Sequence, residues 1–405
     1  MSAACLAWEV PQIRESFHSF ESRAGTAIVQ RLSKIDFTSA AIADEDVTEI
    51  LFAIFALGTS LHWARPSRYD DTLYNTARSL LALWESHSVG LTPLRLPFFQ
   101  QAMTYWEMLL SASKSDFSHA KLVERRRNLQ ERHWDSANAY KSLLDGQTSL
   151  QLCGYSSASP DSRPNSSCGI SSEVIELFGQ VLALCRSAYL RQKRAIRIDR
   201  LVLDETDHDL AIGRDLQLDL LRLDFDNIVR TAQLSGVPLE TGDKSTPLAH
   251  HIYAAEAYRL ASLLQLRMFF EAFGEAADVD RAAFSPSSTL QGLEGDSGFL
   301  AERLINILQL IPLDSGLRCT QLVLCISAAA GLKHSPFQTA EIPDLRNVIL
   351  SRLDMLQRNL PVRPVKVTAE LIKAIWTAYD DGTHRTAAIH WLDIVEGFQS
   401  QTLLC

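Results

Sequence analysis

The sequence predicts an all-α protein built as one large multi-helix domain with long polar loops. Three observations carry this. Apolar residues recur at helical spacing over most of the chain, strand-like alternation is nearly missing, and two Ser/Gly-rich stretches interrupt the periodicity. Of 405 residues, 46% are hydrophobic and 21% charged. That balance supports a packed core without disulfides or a structural metal.

The first clear stripe covers 46–63, where Val47, Ile50, Leu51, Ile54, Phe55 and Leu61 share one face. Asp46 followed by Glu49 supplies a capping start. Leu73, Tyr74, Ala77, Leu80, Leu81 and Trp84 form the next face. Phe98, Phe99, Ala102, Met103, Trp106, Leu109 and Leu110 form a third, entered through Pro97. Helices follow at 172–190, 208–233 and 247–273, the last opened by Thr246-Pro247. Residues 298–311, 315–330, 343–359, 368–380 and 383–398 complete the series, with Gly331 and Pro336 ending the helix at 315–330. Ile196, Ile198, Leu201 and Leu203 alternate, but the run is short and a strand there is the minority reading. Residues 146–171 are rich in Ser, Pro, Gly and Asn and read as a mobile loop. A second polar break spans 282–297. Neither break separates two independent cores. No fixed-period repeat is present.

Charge and cysteines narrow the classes of function. The chain has 39 basic and 48 acidic residues, a formal charge of −9, which argues against a protein that coats nucleic acid. Cys5, Cys153, Cys168, Cys185, Cys319, Cys325 and Cys405 are odd in number and lack a CxxC pair. They read as mostly reduced thiols of a cytosolic or nuclear protein. The N-terminus has no basic start and no long apolar core, so it is not a secretory signal. The sequon at Asn165 is accordingly expected to be unused. Leu51–Leu61 and Leu322–Leu332 are shorter than the roughly 20 residues of a membrane span, so no membrane association is expected.

Chemistry-bearing patterns are weak. Glu205-Thr-Asp-His208 has the E-x-x-H spacing of a di-iron bundle, yet no second copy exists, and an acid-rich helix start explains it better. Asp70-Asp71 and Asp380-Asp381 lack the third acid a turn later that would hold magnesium diphosphate, and helix capping accounts better for both. Neither GxxxxGK[ST], GxGxxG nor GxSxG occurs. His250 and His251 are adjacent on a helix and diverge, so they chelate one ion poorly. His251 shares the apolar stripe of Ala255 and Tyr258 and reads as a core-edge histidine. Trp84, Trp106, Trp376 and Trp391 read as core-filling groups. Two basic clusters remain: Lys121, Arg125, Arg126, Arg127, Arg132 and His133, then Arg186, Arg191, Lys193, Arg194, Arg197 and Arg200. Each could contact phosphate or serve nuclear import, but a solvated face or a partner for the excess acids is the plainer reading. No catalytic, cofactor-binding or metal-binding residue is named, and the position of an effector or partner site is unknown.

Four segments together resemble the C-terminal regulatory region of fungal zinc-cluster transcription factors. They are Leu96-Pro-Phe-Phe-Gln-Gln-Ala-Met-Thr-Tyr-Trp-Glu-Met-Leu109, Ser172-Glu-Val-Ile-Glu-Leu-Phe-Gly-Gln-Val-Leu-Ala-Leu184, Ala254-Ala-Glu-Ala-Tyr-Arg-Leu-Ala-Ser-Leu-Leu-Gln-Leu266 and His390-Trp-Leu-Asp-Ile-Val395. The likeness runs over most of 40–400. It implies an N-terminal extension at 1–40, a regulatory domain at 41–400, and control of RNA polymerase II transcription through ligand or partner binding in the nucleus, with shuttling to the cytoplasm left open. The partners it implies are the transcription machinery or other regulators, a second copy, or a small-molecule effector. Such domains also occur in regulators of fungal secondary metabolism. In that family DNA is read by six closely spaced cysteines holding two zinc ions. Here only Cys5 lies near the start, so no zinc is expected and DNA contact would need a module not seen in these residues. The rival readings are an all-α enzyme with an unrecognised site, which a buried set of converging acids or histidines would favour, and an interaction scaffold.

Overall fold

The computed structural model describes residues 11–35, 44–64, 71–87, 95–113, 120–128, 164–166, 168–198, 203–236, 239, 241, 243–273, 297–333, 342–381 and 391–397. Among these residues there is no strand; the only extended pairing is an isolated bridge between Asn165 and Gly169. The chain is all-α, as its periodicity predicts.

Four helices build the N-terminal region: α1 (Pro11–Leu32), α2 (Asp44–Ala64), α3 (Asp71–His87) and α4 (Leu96–Ser113). α1 packs on α2, α2 on α3, and α3 on α4. α2 begins at Asp44 rather than Asp46, and the Asp44 carboxylate accepts a 2.9 Å hydrogen bond from the Trp84 indole. The expected cap is thus replaced by a tie between α2 and α3. The stripe residues Val47, Ile50, Leu51, Ile54, Tyr74, Leu80 and Trp84 bury together with Phe99, Met103 and Trp106. Ile28 of α1 joins the same cluster. α2 can approach Trp106 because Gly58 has no side chain: a Cβ there would lie 2.7 Å from the indole ring.

The larger region contains a helical segment at 120–128, then α5 (Ser172–Ile198), α6 (Leu203–Arg222), α7 (Phe225–Leu234), α8 (Leu248–Phe273), α9 (Ser297–Gln309), a 3₁₀ turn (Gly316–Thr320), α10 (Gln321–Gly331), α11 (Ile342–Leu356), α12 (Val362–Asp380) and α13 (Trp391–Gly397). α8 is the centre. It touches α5, α6, α7, α9, α10 and the 3₁₀ turn. Its buried residues, from His251 through Phe269, lie all round the helix, the pattern of a core helix rather than a surface one. α10 is buried along its whole length. Gly331 ends it as expected, and also lets it meet α9: a Cβ at 331 would fall 2.9 Å from the Ala301 Cβ. α4 joins both regions. Phe99, Met103 and Trp106 face the N-terminal cluster, while Met108, Leu109 and Ala112 belong to the larger core.

Several boundaries differ from the sequence reading, each for a local reason. The run at 208–233 is two helices, because Asp224 leaves the helical conformation and its carboxylate accepts from the Asn227 N–H at 2.9 Å. The run at 315–330 opens as a 3₁₀ turn before becoming α10. Ile196 and Ile198 lie in the last turn of α5, so their alternation marks no strand. The Thr246 hydroxyl does not cap α8. It accepts from the Gly316 N–H at 2.7 Å and donates to Asp243 at 2.6 Å, tying the entry of α8 to the 3₁₀ turn. The Ser/Pro-rich loop ends earlier than 171. Residues 168–170 are buried, with Gly169 at φ +66° in a tight turn closed by Asn165–Gly169 backbone hydrogen bonds of 2.9 and 3.1 Å. A side chain at 169 would meet the His251 carbonyl oxygen at 2.9 Å. Residues 146–163, 282–296 and Pro336 lie outside the described residues.

Candidate functional site

The richest concentration of buried polar groups lies where α4, the 164–170 turn, α8 and the 3₁₀ turn meet. Gln101 of α4 accepts from the Asn165 side-chain amide, and its backbone oxygen accepts from the Cys168 thiol at 3.1 Å. The Asn165 side-chain oxygen accepts from the Cys168 N–H at 2.8 Å. His251 and Tyr258, two turns apart on α8, face this junction. His251 is 1% exposed, and neither ring nitrogen reaches hydrogen-bond geometry with a protein group. Burial pushes its pKa below the ordinary histidine value; the Asn165 backbone pulls against this, and His250 and Asp243 add smaller effects of opposite sign. The buried Tyr258 hydroxyl lies near Tyr105 and Thr320 without hydrogen-bond geometry to either, and burial raises its pKa well above the usual phenol range. Buried polar atoms without well-formed partners are costly.

A second polar site lies deeper in the larger region. Arg352 of α11 donates to the Gln321 side chain at 2.9 Å and to the Ile311 carbonyl at 2.6 Å. Trp391 of α13 is fully buried and donates to Gln265 of α8 at 2.7 Å. Burial dominates the thiols nearby: Cys185 is pushed up and Cys325 reaches about 12. Such thiols stay protonated and are poor nucleophiles. Cys168, Cys185, Cys319 and Cys325 are free; Cys5, Cys153 and Cys405 lie outside the described residues.

The residues singled out by sequence do not converge into one centre. Among the described residues no group of three His, Cys, Asp or Glu side chains could hold a metal ion. His208 is half-buried on α6, while the Glu205 side chain and Asp70 lie outside the described residues. Of the Asp380-Asp381 pair, Asp381 is the C-cap of α12, its N–H donating to the Thr377 carbonyl at 2.9 Å, while Asp380 has a different partner. Asp380 ends α12 and accepts both arms of Arg346 at 2.7 and 3.1 Å, with Arg346 also resting 5.0 Å over the Trp376 ring. Trp84, Trp106, Trp376 and Trp391 are buried, as their stripes predict. No described helix is long and apolar enough to cross a membrane.

The two basic clusters have specific partners. Arg125 donates to Gln180 at 3.1 Å, to Asp219 at 2.6 Å and to Asp215. Those two carboxylates hold its pKa up against burial. Lys121 lies 3.2 Å from Glu176 and 3.8 Å from Glu107. In the second cluster, Arg191 pairs with Asp209, and Arg186 donates to the Ala112 carbonyl at 3.2 Å. Arg132, His133 and Arg200 lie outside the described residues, as do the side chains of Arg197 and Glu205. The partners were not picked out from the sequence. A signal existed: Lys121/Arg125 and Asp215/Asp219 share the i, i+4 spacing that puts each pair on one helix face.

These features define a helical body tied together by buried polar junctions and charge pairs. Residues 6–405 match the family model of the fungal specific transcription factor domain, and the chain belongs to that family. No curated protein and no solved structure was found to match it.

Proposed function

We propose that this chain is the regulatory part of a nuclear transcription regulator, acting on RNA polymerase II transcription by binding a partner protein or a small effector. Contact with DNA, in this reading, belongs to another module or to a partner. The observation that carries it is the family match across nearly the whole chain. The buried junction around His251 and Tyr258 supports an effector of small, polar character, since its unsatisfied groups reward such a guest. An increase in thermal stability with a bound effector follows from mass action.

The test fuses residues 1–405 to a heterologous DNA-binding module that carries its own nuclear import signal. Transcription from a matching reporter is then compared with the module alone. A several-fold change in either direction is the expected result. Equal transcription across growth conditions overturns the proposal.

A further inference from the structure

The helical segment at 120–128 sits in a cradle of carboxylates drawn from three helices. Glu107 comes from α4, Glu173 and Glu176 from α5, and Asp215 and Asp219 from α6. Lys121 faces Glu107 and Glu176, and Arg125 is clamped between Asp215 and Asp219. The apolar anchorage is slight: Leu122 is buried, while Val123 is 52% exposed. Leu122 ties the segment to the larger core, and the charge pairs hold its polar face. The crowding of acids is visible at Glu173, where burial, Glu176 and Asp219 all raise the pKa. The same segment carries the run Arg125-Arg126-Arg127, the densest basic tract of the chain's first cluster. Arg126 and Arg127 are exposed, and Lys121 and Arg125 face the cradle.

Basic tracts serve as nuclear import signals, and a receptor that reads them must reach their cations. A folded segment with two of its cations already paired cannot be read that way. We propose that 120–128 is a nuclear import signal held latent by the acidic cradle of α4, α5 and α6, and exposed when that latch opens. The cradle shows which chemistry complements the segment: carboxylates, at helical spacing. A nucleic-acid phosphate brought to Arg125 would instead meet the repulsion of Asp215 and Asp219. Opening the latch exchanges carboxylates of the same chain for carboxylates of the receptor, which offsets the cost of breaking largely buried pairs. This inference rests on the nuclear role proposed above.

The test uses the full chain, a purified import receptor of the class that binds basic tracts, and duplex DNA. Asp215→Asn with Asp219→Asn removes both charged partners of Arg125 while leaving its Gln180 contact and the tract intact. Amide exchange at 120–128 is expected to accelerate, and receptor binding to tighten by roughly tenfold. Adding Arg125→Gln is expected to abolish the gain. Circular dichroism and the melting profile report whether the double variant folds. If it does not, Glu176→Gln, which removes the nearer of the two carboxylates at Lys121 in a more exposed pair, is expected to give a smaller gain in the same direction. Receptor binding that stays unchanged while the segment loosens overturns the proposal. So does a gain that survives Arg125→Gln, and so does binding of the loosened segment to duplex DNA but not to the receptor. The reporter fusion brings its own import signal, so it reads regulation whatever this segment does, and the two proposals fail separately.

Discussion

The N-terminal helices and the larger region around α8 reach stability by different routes. In α1–α4 the packing is aromatic. Trp106 lies 5.3 Å from the Phe55 ring and 5.8 Å edge-on from Tyr74, and Trp84 lies 6.3 Å from Phe99. A few large rings do the filling, and one glycine lets them close. The larger region instead wraps aliphatic side chains and alanines around α8 and α10, with buried polar ties at Gln265, Gln321 and Arg352. A ring-based cluster depends on a few contacts, each worth much. An aliphatic core spreads its energy, and its specificity rests on the few polar groups that must find partners. α4 contributes to both.

The largest expected effect separates the regions most sharply. Trp391→Ala removes a fully buried ring and strands the Gln265 side chain, at a cost of about 3–5 kcal/mol. Chemical denaturation should show the loss, with exchange protection falling first in α8 and α13. Unchanged stability would mean that α13 does not hold the larger core. Next comes Gly58→Ala. Its Cβ would meet Trp106 at 2.7 Å, and such overpacking costs about 1–3 kcal/mol. Protection should drop in α1–α4 while α8 keeps its own; a uniform drop would show that the two regions unfold as one.

Acidification probes the junction between them. The folded-state pKa of His251 lies below its unfolded value because burial disfavours the charged ring. The unfolded chain therefore binds the extra proton first, and stability is lost as pH falls from about 6.5 toward the lowered folded value. His251→Gln should flatten the pH dependence of the melting temperature in that window. An unaltered slope would assign the acid sensitivity to other groups. The smallest effect is at the surface of the larger region. Asp224→Ala deletes the cap of α7 and should cost about 1 kcal/mol, with fraying confined to α7.

Much of the fold was legible because long helices bury one stripe, and a stripe is visible in a single sequence. Val47, Leu51, Trp84, Trp106, Val174 and Phe178 all face the core from the positions their spacing predicts. Boundaries were less legible. Asp224 could be read equally as a polar residue inside a helix, and only its contact with the Asn227 N–H shows the break. The Asp380-Asp381 pair reads as a cap, and Asp381 is the C-cap of α12, but the grip of Arg346, 34 residues earlier, on Asp380 leaves no local signal. The polar junction was half legible: His251 lay on an apolar stripe, but Gln101 and Asn165 carried no periodic signal and are 64 residues apart.

The sequence by itself determined the helical class, the core faces and the family, since these follow from local periodicity and from motifs in order. Tertiary structure alone decided the pairings. Which carboxylates clamp Arg125, which glutamine receives Trp391, and which turn covers His251 all depend on groups brought together from separate helices. The physical reason is that burying an apolar face requires only the right spacing along one helix. Pairing a buried charge or polar atom requires one partner at one distance and angle, which only the packed chain supplies.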